Sequence, residues 1–119
     1  MSDAMQSEKI QASKWFAKLR DQIVAAFETL EDSHDSQTQL AGRFEVTPTT
    51  RQSGGGGVMS VMRGGRVFEK VGVNVSTVHG RLGDRAQKSM AARGVPGMAE
   101  DPRFWASGIS LVAHMRNPH

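Results

Sequence analysis

Residues 54–80 read GGGGVMSVMRGGRVFEKVGVNVSTVHG. Two apolar runs, Val58–Arg63 and Arg66–Lys70, flank the pair Gly64-Gly65. A two-residue glycine link between such runs predicts a β-hairpin, because glycine supplies the positive φ that tight hairpin turns require. Beyond the hairpin, Val71, Val73 and Val75 alternate with Gly72, Asn74 and Ser76. That alternation gives a strand with one apolar and one polar face, with Gly72 as a place for the chain to bend. Carried on, it puts Val78 and Gly80 beside Asn74 and Ser76, and Thr77 and His79 beside the valines. The stretch decides the fold class: α+β, with a largely antiparallel sheet.

Upstream, Phe16, Leu19, Ile23, Phe27 and Leu30 recur at three- and four-residue spacing. They predict an amphipathic helix over 1–30 packed on the sheet, with Ile10 extending its apolar face and Ser7 as a capping hydroxyl. Lys18, Asp21 and Glu28 fall on its solvated side. Residues 31–42 are polar and aperiodic, a loop. Arg43–Val46 reads as a short strand stopped by Pro48, and a second loop leads into Gly54–Gly57. Strands and hairpin thus occupy 43–80. Residues 81–103 are loop with a minor helix at Gly83–Arg93, closed by Gly94-Val95-Pro96-Gly97. Residues 104–116 form a last strand, with Ile109, Leu111 and Ala113 on one side and Gly108, Ser110, Val112 and His114 on the other. No closing element follows that strand, so its edge is expected to be open and the single domain over 1–119 to be truncated.

The 119 residues include no cysteine. Disulfides, thiolate nucleophiles and zinc ribbons are therefore excluded. No apolar run approaches the ~20 residues of a membrane span, and residues 1–30 are too charged for a secretion signal. The expectation is a cytoplasmic protein with no membrane span. The net charge of +3 is unevenly spread. Residues 1–42 carry four Lys/Arg against seven acids, whereas residues 43–119 carry eleven against five. The second segment attracts an anion: nucleic acid, polycarboxylate or phosphate.

Several chemistries can be weighed on the residues alone. Gly54–Gly57 would let backbone N–H groups meet anionic oxygens, or would be a linker or strand entry; no Lys-Ser or Lys-Thr follows to make a phosphate loop. Asn74 and Ser76 read either as the polar floor of a ligand cleft or as a solvent-facing stripe. His79 and His114 carry imidazoles, the side chain suited to acid–base work and to metal ligation, but no HExxH or close His/Asp cluster accompanies them. Ser110 and His114 share a strand face at a separation of roughly 13 Å, too far for a nucleophile–base pair. The chain lacks tyrosine, and its phenylalanines and Trp105 are scattered, so a nucleic-acid reader is not expected.

Three blocks together resemble the amino-terminal part of the oxygen-dependent coproporphyrinogen-III oxidases. They are Gly54–Gly57 with VMSVMR (58–63), VFEKVGVNVSTVHG (67–80), and GISLVAH (108–114) followed by Asn117-Pro118. The resemblance covers about residues 10–119. It implies a flat antiparallel sheet flanked by helices, a homodimer, and oxidative decarboxylation of two propionates of coproporphyrinogen III to vinyl groups in haem synthesis. Dioxygen is the oxidant and no other cofactor is required, with a divalent metal left open. By position, Ser110 matches a substrate-contacting serine and His114 a histidine sometimes assigned to metal. Asn74, Ser76 and His79 lie in the family's most recognisable strand, and Arg51 in its Trp-x-Arg segment, so these four are also placed at the substrate. Thr49 replaces that tryptophan, and Met115 replaces the proline that usually follows the histidine. The presumed proton donor belongs to a His-x-Asn-x-Arg segment beyond His119, which implies a chain inactive alone. The alternative is a non-catalytic basic module that binds an anionic tetrapyrrole or another polyanion. A weaker third reading is a dimerisation unit built on the amphipathic helix.

Overall fold

A computed structural model describes residues 3–119. The elements are α1 (Asp3–Asp32), β1 (Phe44–Thr50), β2 (Gly55–Arg63), β3 (Phe68–Arg81), α2 (Asp84–Ala92) and β4 (Arg103–Met115). The strands form one antiparallel sheet in the order β1-β2-β3-β4, so each pairs with its neighbour in sequence. The expected α+β class stands. The first two residues of the expected 1–30 helix lie outside the described residues.

The helix packs one face of the sheet, mainly against β3 and β4. Met62, Phe68, Val71 and Val73 are the buried core, and Ile23, Val24 and Phe27 close over them. Phe27 meets Phe68 edge-on with ring centroids 4.8 Å apart, and Phe44 at 6.4 Å. Such pairs add to the burial of their area. The periodicity of the helix is therefore real, but its ends differ from the expectation. Ser7 sits inside α1 rather than capping it, because the helix begins at Asp3. Ile10 and Leu30 point outward, with Leu30 46% exposed.

The residue that turns inward at the end of α1 is Glu31, which is fully buried. Its carboxylate accepts the backbone N–H groups of Gly42 (2.8 Å), Val67 (2.7 Å), Phe68 (3.1 Å) and Arg66. Burial pushes its carboxyl up, but the four donors outweigh that and hold it below its ordinary value. Glu28, expected in solvent, accepts the N–H of Phe44 at 3.0 Å. Two carboxylates thus bolt the helix to the sheet through backbone donors.

Glu31 also explains the hairpin. The link between β2 and β3 is Gly64–Val67, not two glycines, because the N–H groups of Arg66 and Val67 are turned to the carboxylate instead of across the ladder. Gly64 and Gly65 close the turn by donating to Glu69 and Phe68 carbonyls, each at 2.9 Å. Gly64 has φ +64°, where a side chain is strained. From Phe68, β3 runs unbroken to Arg81; Gly72 does not bend it, and the irregularity lies between Phe68 and Lys70.

Two further corrections concern β1 and β2. Pro48 does not stop β1, which continues to Thr50 with Pro48 opposite Val58. β1 is an edge strand, and on an edge a missing N–H costs no ladder bond when it faces outward. Gly55, Gly56 and Gly57 do not end a loop; of the readings open for the tetraglycine, strand entry holds for them, as the first residues of β2, paired to Val78, Thr77 and Ser76. At Gly57 a Cβ would lie only 2.9 Å from the Cα of Ser76, so the strands approach too closely for a side chain there.

The molecule is long, 62 × 29 × 25 Å, with a radius of gyration of 18.9 Å. A compact chain of this size has about 13.5 Å. Its accessible surface of 8457 Å² likewise exceeds the roughly 6,300 Å² typical of its mass.

Candidate functional site

The sheet register sorts the candidate residues. Asn74 on β3 pairs with Ser110 on β4 and, on its other side, with Met59 on β2. Ser76 lies between Gly57 and Gly108. Asn74, Ser76 and Ser110 are all exposed on the face away from α1. Directly paired residues are about 5 Å apart, so the Asn74 amide and Ser110 hydroxyl can reach one ligand together. A Cβ at Gly72 or Gly108 would meet nothing within 4 Å. Two small residues therefore leave shallow open space beside the polar groups. The result is an open sheet face with hydrogen-bonding groups at its centre and Met59, Val61, Val112 and two glycines around them.

His79 is not part of that floor. It pairs with Trp105 on the helix-facing side. There it lines a cleft of about 1340 Å³ between β3, β4 and the amino-terminal half of α1, with Trp105, Met98 and Arg103. At the cleft, Arg103 donates to both carboxylate oxygens of Asp101 at 2.8 and 2.7 Å. That guanidinium holds the Asp101 carboxyl down to about 2.

Arg51 lies at the β1–β2 turn, with Nη1 donating to the Gly54 carbonyl (3.1 Å) and, more weakly, to that of His79 (3.4 Å). Its guanidinium stands over the ring of Phe104 at 5.9 Å. Phe104 pairs with Gly80, in the alternation of Asn74 and Ser76. Gly80 and Phe104 also line the cleft beside α1, so the structure puts Arg51 at the His79 end of the sheet, away from Asn74 and Ser110.

His114 lies toward the other end, opposite Lys70. It lies four positions along the strand from Ser110, about 13 Å away. Among the described residues no group of three or more His, Cys, Asp or Glu converges to hold a metal ion. A lysine as the paired neighbour also disfavours a cation. The residues around His114 thus do not fit a divalent-metal site, and no chemical step is derived through one.

Sequence reasoning missed the carboxylates that fix this frame. Glu31 follows Ile23 and Phe27 at four-residue steps, so the helical period already put it on the packed face. Its polarity placed it in a loop instead.

With this geometry in place, the family comparison is informative. The model of the family described as coproporphyrinogen III oxidase matches residues 11–119, which include α1 from residue 11 on, all four strands and the open floor. The chain belongs to the coproporphyrinogen III oxidase family. An oxygen-dependent coproporphyrinogen-III oxidase of Rickettsia bellii (strain RML369-C) is 48% identical over 107 residues, covering 89% of this chain and 36% of the relative. One of Rickettsia felis is 44% identical over 108 residues, covering 90% and 37%. One of Rickettsia peacockii is 43% identical over 107 residues, covering 89% and 36%. The chain spans little more than a third of the length of these curated oxidases.

Proposed function

We propose that the open face of the sheet is one wall of a coproporphyrinogen III site, and that the chain serves the oxygen-dependent conversion of that substrate to protoporphyrinogen IX. The observation that carries this reading is the pairing of Asn74 with Ser110 on the open face of the sheet, beside Gly72 and Gly108, in a chain of this family. In the reaction, each of two propionates loses its carboxylate as carbon dioxide and a hydride equivalent to dioxygen, which also takes up one proton and leaves as hydrogen peroxide. Dioxygen is the co-reactant the relatives' name specifies. The excess of basic residues beyond position 42 favours a substrate with four carboxylates.

The role of this wall is to bind and orient. Neither the residue pair of Ser110 nor the pairs on either side of it on β3 and β4 include a titratable side chain. Ser110 and Asn74 hold a pyrrole edge or carboxylate in place; the proton donor comes from outside the floor. That same observation favours a second reading, in which the chain binds an anionic tetrapyrrole or another polyanion without turnover.

A homodimer and a cytoplasmic location complete the proposal. The large uncovered surface supports the first. For the second, among the described residues no helix is long and apolar enough to cross a membrane.

The test is a titration of the chain with coproporphyrin III, read by porphyrin fluorescence, beside an aerobic assay with coproporphyrinogen III. Saturable binding that weakens in S110A and N74A supports the site. Absence of binding overturns it. Binding without substrate consumption selects the second reading.

A further inference from the structure

On the open face, Arg63, Lys70 and His114 form one cross-strand row: Arg63 pairs with Lys70, and Lys70 with His114. Paired side chains in such a row have Cβ atoms about 4.5–5.5 Å apart. All three are exposed, and among the described residues none makes an ion pair. The other arginines at this end are engaged. Arg43 binds Asp32 at 2.7 Å, Arg66 donates to the carbonyls of Gln39 and His34, and Arg116 to that of Gly65. Glu45, opposite Val61 and in the same alternation, does not pair with Arg63 either. Like charges directly opposite one another destabilise a sheet. Two permanent cations side by side, left without a carboxylate, mark a place where a ligand supplies the negative charge.

The rows between strengthen the assignment. Moving from Asn74 and Ser110 toward this end, the next row is Val61, Gly72 and Val112, and the cationic row follows. Polar floor, apolar strip and cations thus succeed one another over about 13 Å of strand. That order fits a flat apolar ring system with a carboxylate on an arm at its edge. We propose that Arg63 and Lys70, with His114 as a third donor, form a carboxylate subsite that holds a peripheral propionate of the tetrapyrrole lying over Asn74 and Ser110. The proposal rests on the substrate reading above and adds the residues that set carboxylate position and number.

Coproporphyrin III is titrated by fluorescence against the unsubstituted chain, R63Q/K70Q, the charge-preserving R63K/K70R, and K88Q/R93Q. The last removes the same charge from the region of α2, away from the floor. R63Q/K70Q is expected to weaken binding roughly 10- to 100-fold, the scale of one or two charge-assisted hydrogen bonds. R63K/K70R and K88Q/R93Q are expected to stay within about threefold of the unsubstituted chain. Circular dichroism verifies the fold. Should the double substitution unfold the chain, the single R63Q and K70Q variants carry the test, each expected to lose about three- to tenfold. Equal weakening by R63Q/K70Q and K88Q/R93Q, or none by R63Q/K70Q, overturns the subsite and leaves binding at the floor standing. No coproporphyrin III binding by the unsubstituted chain overturns the subsite together with the substrate reading.

Discussion

The carboxylate of Glu31 occupies the space that a side chain at Gly65 would need: a Cβ there would come within 2.7 Å of the Glu31 carboxyl carbon. Helix end and hairpin turn are thus fitted to each other, one by having a carboxylate and the other by lacking a side chain. Gly65→Ala is expected to destabilise the chain by about 2–4 kcal/mol, by displacing a buried charge from its donors. Glu31→Ala, which leaves four backbone N–H groups without their acceptor, is expected to cost at least about 3 kcal/mol. Urea unfolding followed by circular dichroism checks both.

Acid should release the same contact. The Glu31 carboxyl is held below the ordinary value of 4.5, so the unfolded chain binds its proton more readily than the folded one. Its contribution is complete above pH 4.5 and is lost as pH falls below that value toward its folded pKa. Unfolding midpoints measured from pH 7 to pH 3 should fall in the acid range, and the extra loss should be absent in Glu31→Gln.

The floor can be separated from the frame by two glycine substitutions. Gly108→Ala meets open space and is expected to change stability by less than about 0.5 kcal/mol while lowering coproporphyrin III binding, because its methyl rises beside Ser76. Gly57→Ala drives a methyl into β3 and is expected to destabilise by about 1–3 kcal/mol. Thermal unfolding and fluorescence titration of the two variants side by side distinguish these effects.

Ser110→Ala and Asn74→Ala remove exposed groups and should leave the unfolding midpoint unchanged. Each is expected to weaken coproporphyrin III binding by about three- to tenfold, the worth of one neutral hydrogen bond. His79→Ala, on the opposite face, should leave that binding within about twofold of the unsubstituted chain.

The sequence carried the signals that depend on local periodicity. The stripe Ile23–Phe27 and the alternation Val71–Val73–Val75 both appear where the pattern puts them. So does the separation of His79 from Asn74 and Ser76, which follows from strand alternation alone. What escaped was set by partners distant in the chain. Glu31 is a polar residue at an apolar position, and only donors 11 to 37 residues later make that position favourable. Pro48 looks like a strand breaker until its neighbours are known, and an edge tolerates it; strand entry is one open reading of Gly54–Gly57, but the close strand approach that requires glycine at position 57 is not visible in the sequence. The pairing of Ser110 with Asn74, on which the candidate site depends, is a register between segments 36 residues apart. Composition contains no record of it.

The strand order β1-β2-β3-β4 also bears on how the chain emerges from the ribosome. Each strand after β1, once synthesised, finds a partner already made, so the sheet can zip up in the direction of translation. The helix that leads the chain has no such luck. Its anchoring carboxylate waits for Arg66, Val67 and Phe68, and its apolar stripe for Val71 and Val73. During that interval Ile23, Val24 and Phe27 are bare, and the nascent chain presents to chaperones the surface that the finished protein hides.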